Sequence, residues 1–433
     1  MPNMTDFRKH APQTKSISSF DVPCFEFLKT EDEYPYFYNF TEDLGVVVVS
    51  LWFPTGRLAQ KSPFVAQAAF DLILSGAKGR SEKEIMKHID HLGGSVTNDV
   101  NDWGSKITIR SSVEQAKNIL SWVEDHVVNA EYPEEEISHY IPVKSAGIDR
   151  KKQTPNYWSQ LLAKQTLYNN HNLGKTGDIK DVQALNRGAI WDFYSSEIKT
   201  SGPLLFVSGD CSGSLFSELM SIHRSFFPKP FPLSNPFVDL EKPTQYFDDS
   251  GVIKHTLPSS NQVSMVLQCH VEQTEPKTNF QLILLNFVLG GYFGSRLMQE
   301  LREKQGLTYG ISSYFRPAYL GKTWVISGEM NSENAAIALE RTLDIIEDLR
   351  INLISVDELE RAKRYYGGMF RQGFDGPFSA AVKAQSIFLQ GLKPDYYQSA
   401  LPEIWKTTPE DLLTLAQTHL NPRNFVKVLA GKV

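Results

Sequence analysis

Cysteine is scarce in this 433-residue chain: Cys24, Cys211 and Cys269 are widely separated and odd in number. They cannot build a disulfide framework, and with no CxxC pair they outline no thiolate metal site. Long apolar runs are missing too. The longest, VVVVSLWF at Val46–Phe53, falls far short of the roughly 20 residues that cross a bilayer. The opening MPNMTDFRKHAPQTKS has no apolar segment of the kind found in a secretory signal. Positive charge is not in excess, since 44 Lys+Arg stand against 50 Asp+Glu for a net charge of −6. With no Lys/Arg-rich stripe interrupting that acidity, a nucleic-acid partner is not expected. These absences predict a reduced, cytoplasmic protein that engages neither nucleic acid nor membrane.

What remains is ordinary globular material, 41% hydrophobic and 22% charged. At roughly 100–200 residues per domain, the length predicts two or three domains. One punctuation mark divides the chain. FPKPFPLSNPFVDLEKP (Phe227–Pro243) carries prolines at 228, 230, 232, 236 and 243. Each proline removes a backbone donor and biases its predecessor toward extended geometry, so no helix persists there. We therefore expect an N-terminal domain at 1–226, a proline-rich linker at 227–250 and a C-terminal domain at 251–433.

The two halves share a layout. KITIRSSVEQAKNILSWVEDHV (Lys106–Val127) alternates as a strand and continues as an amphipathic helix, and KTWVISGEMNSENAAIALERTLDIIEDL (Lys322–Leu349) repeats that order. Acidic helix starts follow at YPEEEISHY (Tyr132–Tyr140) and SVDELERAK (Ser355–Lys363). β-rich runs close the halves at LLFVSGD (Leu204–Asp210) and VKVLAGK (Val426–Lys432). Each half also has an LGG, at Leu92–Gly94 and Leu289–Gly291, placed where a glycine ends an apolar helix. The predicted fold class is α+β, with two homologous duplicated domains. Each is a mostly antiparallel sheet with helices packed on one face.

Catalytic motifs are sparse. The ten histidines include no HExxH or HxxEH, and there is no GxSxG, P-loop or dinucleotide fingerprint. His88-Ile-Asp-His91 puts two imidazoles on one helical face, a geometry that can hold zinc, but two surface histidines are the plainer reading. Glu136 and His139 have ligand spacing without the further carboxylates that a dimetal site needs. More telling is VLGGYFGSRLMQELREKQGLTYGISSYF (Val288–Phe315): a glycine-rich turn, a short helix with Leu297 and Leu301 inward, a turn at Gly306, then a strand. That helix–turn–strand order can bring Arg302 and Tyr309 together. Their guanidinium and phenol N–H and O–H groups could bind a peptide carbonyl or a developing oxyanion.

LGGYFGSRLMQELREKQGLTY (Leu289–Tyr309) resembles the second-domain signature of the pitrilysin family of inverted zinc peptidases, which includes insulysin and the mitochondrial processing peptidase: an LGG, then SSRL, then LREK-x-GL-x-Y. GAKGRSEKEIMKHIDHLGGSV (Gly76–Val96) resembles the family's first-domain segment, and the duplicated halves and proline-rich linker fit as well. The resemblance implies a half-clamshell of two such domains. It also implies an HxxEH just before Gly76, in which two histidines and a water-activating glutamate serve a zinc ion. Here Gln67, Phe70 and Asp71 stand at the His, Glu and His positions. The family's third ligand is a glutamate further along, yet no glutamate occurs between Ile137 and Ser196.

Some family members are two-subunit enzymes in which one subunit holds zinc and the other supplies only the Arg/Tyr pair. The resemblance therefore implies a non-catalytic subunit with no cofactor of its own. It would pair with a homologous HxxEH-bearing zinc peptidase and enclose an unstructured peptide. Arg302 and Tyr309 would hold the substrate carbonyl near the partner's zinc, and Gly290, Gly291 and Gly294 would allow close backbone approach to substrate. The strand after the first LGG, with Thr97 and Asn98, would bind substrate by strand addition. A scaffold or peptide-binding subunit with no catalytic contribution is the alternative.

Overall fold

The computed structural model describes residues 21–22, 27–30, 34–169, 171–200, 202–231, 251–318 and 321–433. Residues 232–250, most of the expected linker, lie outside them, as does Cys24. The first half comprises β1 (Phe27–Lys29), β2 (Pro35–Phe40), β3 (Val46–Phe53), α1 (Val65–Asp71), a hairpin of β4 (Gly76–Ala77) and β5 (Arg80–Ser81), α2 (Glu82–His91), β6 (Ser95–Val100), β7 (Ser105–Ser112), α3 (Ala116–Val128), α4 (Glu134–Lys152), α5 (Pro155–Tyr168), α6 (Ile179–Gln183), α7 (Arg187–Phe193), β8 (Leu204–Gly209) and α8 (Gly213–Phe226). The second comprises β9 (Val252–Thr256), β10 (Gln262–Glu272), α9 (Pro276–Asn286), β11 (Thr308–Ala318), β12 (Gly321–Asn331), α10 (Ala335–Ile351), α11 (Val356–Gln372), α12 (Gly376–Leu389), α13 (Ala400–Lys406), α14 (Pro409–His419) and β13 (Val426–Gly431).

Strand order exposes the duplication. The first sheet runs β6-β7-β3-β8-β2-β1 and the second β11-β12-β10-β13-β9. Their directions match pair by pair: β6–β7, β7–β3 and β3–β8 are antiparallel and β8–β2 is parallel, just as β11–β12, β12–β10 and β10–β13 are antiparallel and β13–β9 is parallel. The fold is α+β with antiparallel-rich sheets. Among the described residues no helix is long and apolar enough to cross a membrane.

Alternation along the central strands decides which residues meet the helices. In β3, Val47, Val49, Leu51 and Phe53 join Ile85, Ile119 and Val123 of the first half's own helices. In β10, Val263, Met265 and Leu267 do the same with Leu282, Leu285 and Leu339 in the second. The opposite faces are covered by exchanged helices. From the first half, α5 lays Ala163, Leu167 and Tyr168 on Val266, Val325 and Val428 of the second sheet. From the second half, α12 lays Ala380, Ala384 and Ile387 on Phe37, Trp52 and Phe206 of the first. Alanines at 380 and 384 let that helix approach closely, and hydrogen bonds tie the exchange: Ser159–Ser264 at 2.8 Å and Tyr168–Thr323 at 2.7 Å. Each sheet therefore has helices on both faces. The expected single helical face is its own half's contribution, and the other cover comes from the opposite half.

Local signals explain the element ends. Ser81 caps α2 through a reciprocal box with Glu84. Gly93 follows that helix at φ +69°, the left-handed position expected of the first LGG. The second LGG departs from this expectation. It closes a π-helical turn at Phe287–Gly291, and neither glycine has a positive φ. Space is the reason for glycine there: a Cβ on Gly290 would lie 2.7 Å from Ser313 Cβ and 2.9 Å from Ser313 N.

Candidate functional site

Helix α1 places Gln67, Phe70 and Asp71 about one turn apart, and each is committed to a structural partner. Gln67 Nε2 donates to Asp71 Oδ1 at 2.7 Å. Asp71 Oδ2 accepts from the Tyr140 hydroxyl at 2.8 Å and from Lys144 Nζ at 3.2 Å, both on α4. Burial, followed by the neighbouring Asp71 charge, pushes the Tyr140 phenol well above its ordinary value. Phe70 is fully buried, edge-to-face with Phe53 at 5.5 Å between centroids. An ammonium thus sits against the carboxylate where the resemblance puts a metal ligand, and an apolar ring fills the place of the base. These residues do not fit a zinc ion. Neither do the other sequence candidates: the His88 ring packs on Trp122 at 4.0 Å, and among the described residues no group of three or more His, Cys, Asp or Glu could hold a metal.

Beside α1, β6 is an edge strand whose pairing among the described residues is with β7 alone. Every second N–H and C=O of such a strand points away from the sheet. Thr97 is exposed and accepts from Arg110 Nη1 at 3.2 Å. Asn98 Nδ2 donates to the Phe70 carbonyl at 2.6 Å, tying the edge to the degenerate helix, and its buried Oδ1 has no hydrogen-bond partner.

In the second half a π-helical turn at Met298–Lys304 carries Arg302, with Leu297 and Leu301 fully buried beneath it. Such turns are rare and concentrate at functional sites. The chain reverses at Gly306, φ +61°, and enters β11. This brings Arg302 and Tyr309 together as the helix–turn–strand order predicted: the guanidinium carbon is 5.0 Å from the Tyr309 ring centroid and equally 5.0 Å from that of Phe293. Two rings therefore clasp one cation, each such contact contributing about 0.5–1 kcal/mol at an exposed site. Tyr309 is 87% exposed and Phe293 53%. Sequence reading missed Phe293, whose signal was the YF that interrupts the glycines between LGG and SRL.

The mount beneath this ledge is closely packed and hydrogen-bonded. Gly290 packs on Ser313, whose hydroxyl donates to Asn286 Oδ1 at 2.6 Å, and Trp324 Nε1 donates to the same oxygen at 2.9 Å. Gly291 lies against Asn286, and Gly294 is exposed beside the Tyr292 ring. Arg296 clamps the SRL segment to α11 through two bonds to Glu358, at 2.8 and 2.9 Å, and to α10 through a third to Asp348 at 2.6 Å. The structure thus gathers Gln67, Phe70, Asp71 and Asn98 in the first half and Arg302 and Tyr309 in the second. The sequence could not supply Tyr140 and Lys144, which reach Asp71 from 69 and 73 residues away.

Residues 184–366 match the family described as the peptidase M16 inactive domain, a stretch that contains the whole Leu289–Tyr309 signature. Over that stretch, a little less than half of its length, the chain is similar to the M16 peptidase family. A relative in Bacillus subtilis, the uncharacterized zinc protease YmxG, is 22% identical over 326 residues, covering 74% of this chain and 78% of its own. A Helicobacter pylori relative, named non-peptidase homolog YmxG, is 18% identical over 382 residues, 86% of each. The crystal structure of the M16 inactive domain from Pseudomonas fluorescens superposes with a TM-score of 0.85 at 22% identity, covering 94% of this chain and 98% of that one, and so shares the fold.

Proposed function

We propose that this chain is the non-catalytic subunit of a heterodimeric zinc metallopeptidase that degrades or processes peptides. Its partner is a homologous HxxEH-bearing subunit, and a zinc ion held by that partner would supply polarisation of the scissile carbonyl and activation of water. The contribution of this chain is Arg302 and Tyr309. The guanidinium donates N–H groups and the phenol donates O–H to the substrate carbonyl oxygen, whose growing negative charge they stabilise. Phe293 holds the guanidinium plane so that little ordering is left to do when substrate arrives. Strand β6, with Thr97 and Asn98, receives extended peptide along its open edge, and Gly290, Gly291 and Gly294 keep the turn before Arg302 slim enough for a close approach. The buried free thiols of Cys211 and Cys269 suit the reducing cytoplasm in which we place the protein.

One observation carries the reading: Arg302 and Tyr309 stand together on an exposed ledge, 5.0 Å apart, over a tightly packed mount. A scaffold needs no such ledge. The test is co-purification with an HxxEH homologue, followed by zinc analysis and peptidase assay of each chain and of the complex. The complex should cleave while this chain alone does not. Arg302→Ala and Tyr309→Phe should each lower kcat by about 10²-fold with the subunits still associated. Chelator-sensitive cleavage by this chain alone would refute the proposal, and unchanged rates in both variants would leave the scaffold role.

A further inference from the structure

At the C-terminal end of β6, two cations of the first half meet one carboxylate, and a third cation, from the second half, is held one helical turn away. Arg57, in the loop after β3, donates from Nε to Asp102 Oδ1 at 2.8 Å and from Nη1 to the Val100 carbonyl at 2.8 Å. Lys164 on α5 reaches Asp102 Oδ2 at 3.5 Å. One turn earlier on the same helix, Gln160 accepts at 3.0 Å from Nη2 of Arg316, which lies on β11 of the second half. Leu58 and Tyr314, close along the chain to Arg57 and Arg316, pack against one apolar cluster that includes Ala163 and Leu167. The groups sense one another: burial lowers the Lys164 pKa, Asp102 opposes that, and Arg57 and Arg316 lower it further.

The charges do not balance. Asp102 answers one of the three cations, and the hydrogen-bond partners of Arg316, Gln160 and the Tyr314 hydroxyl, are neutral. The surplus is half-buried but reachable, with the Arg57 side chain 43% exposed and that of Lys164 25%. Partly desolvated cations without counter-charge favour an anion, and guanidiniums favour a carboxylate, whose two oxygens match their paired donors. Position narrows the choice of ligand. Because Arg57 holds the carbonyl of Val100, the last residue of β6, a peptide lying along that edge runs past the cluster.

We infer that Arg57, Lys164 and Arg316 form a carboxylate-binding subsite for the bound peptide, an inference that rests on the peptide-binding reading of β6. The carboxylate is either an acidic side chain or the peptide's C-terminus, which present the same chemistry. The test uses the full chain and fluorescence polarisation with a short unstructured peptide, prepared with an internal Glu or Gln and with a free or amidated C-terminus. Neutralising the carboxylate that is used should weaken binding about tenfold. The Glu/Gln and acid/amide comparisons reveal which source it is. That preference should shrink at high salt and disappear in Arg316→Gln, with Arg316→Lys restoring part of it and thermal melting confirming the fold. Asp102→Asn, which adds to the positive surplus, should strengthen the preference. Equal binding of all four peptides, or a preference unchanged in Arg316→Gln, overturns the subsite while leaving the edge-strand reading intact. No binding of any peptide overturns both.

Discussion

Phe70→Glu restores in one step the residue type that the family uses as its base, so it tests whether the first-half site is dormant or has become core. Phe70 has no exposed surface and meets Phe53 edge-to-face at 5.5 Å. Removing a buried phenylalanine costs about 3–5 kcal/mol, of which an edge-to-face pair supplies about 0.5–1.5. A carboxylate in that position adds a desolvation cost of several kcal/mol or takes up a proton. Lys144, the cation paired with the adjacent Asp71, is already engaged there at 3.2 Å. The sum, about 5 kcal/mol or more, is comparable with the whole stability of a typical domain, about 5–15 kcal/mol. We therefore expect Phe70→Glu to unfold the first half or to lower its transition steeply, with Phe70→Leu costing far less. Urea titration followed by circular dichroism measures both. The triple variant Gln67→His, Phe70→Glu, Asp71→His should bind no zinc stoichiometrically. A Phe70→Glu protein with native stability, or a triple variant that holds one zinc per chain, would refute the claim that this region is packed core.

Two further outcomes follow from other parts of the fold. Burial pushes Lys322 down to about 7 from a free lysine's 10.5, with its Nζ 4.1 Å from the Phe315 ring centroid. Between those values the unfolded chain holds a proton that the folded chain does not, so stability should rise with pH from about 7 to 10.5 by up to about 1.4 kcal/mol per unit. Chemical denaturation across that range should reveal the slope, and Lys322→Met should flatten it. In the exchanged helix, Ala384 is fully buried in the cluster with Phe206 and Ile387. Ala384→Leu should cost about 1–3 kcal/mol by overpacking, and calorimetry should register the loss in the first sheet although the substitution lies in the second half.

Much of the site was legible in order but not in depth. LGGYFGSRLMQELREKQGLTY spells out a turn, a buried Leu297/Leu301 stripe and a reversal at Gly306, because each step depends on residues a few positions apart. That local chain of causes was enough to put Arg302 beside Tyr309. Phe293 was harder to read, since a ring that packs on a guanidinium looks in sequence like any aromatic in a loop. The second LGG misled for a related reason: glycine signals either a left-handed turn or a lack of room, and only the 2.7 Å approach to Ser313 tells them apart. Tyr140 and Lys144 could not be read at all, because their meeting with Asp71 depends on how α4 packs beside α1.

The sequence by itself determined the duplicated order of strands and helices and the loss of HxxEH, because alternation, helical periodicity and residue identity are local properties. It also determined the Arg302/Tyr309 ledge. Only the tertiary structure decided that α5 and α12 change places between the halves, since an apolar helix face carries no mark of which sheet will bury it. The same holds for the ammonium of Lys144 standing against Asp71 and for the cluster of Arg57, Lys164 and Arg316. Charges far apart in the chain acquire a common role only once packing brings them within a few ångströms and takes away the water between them.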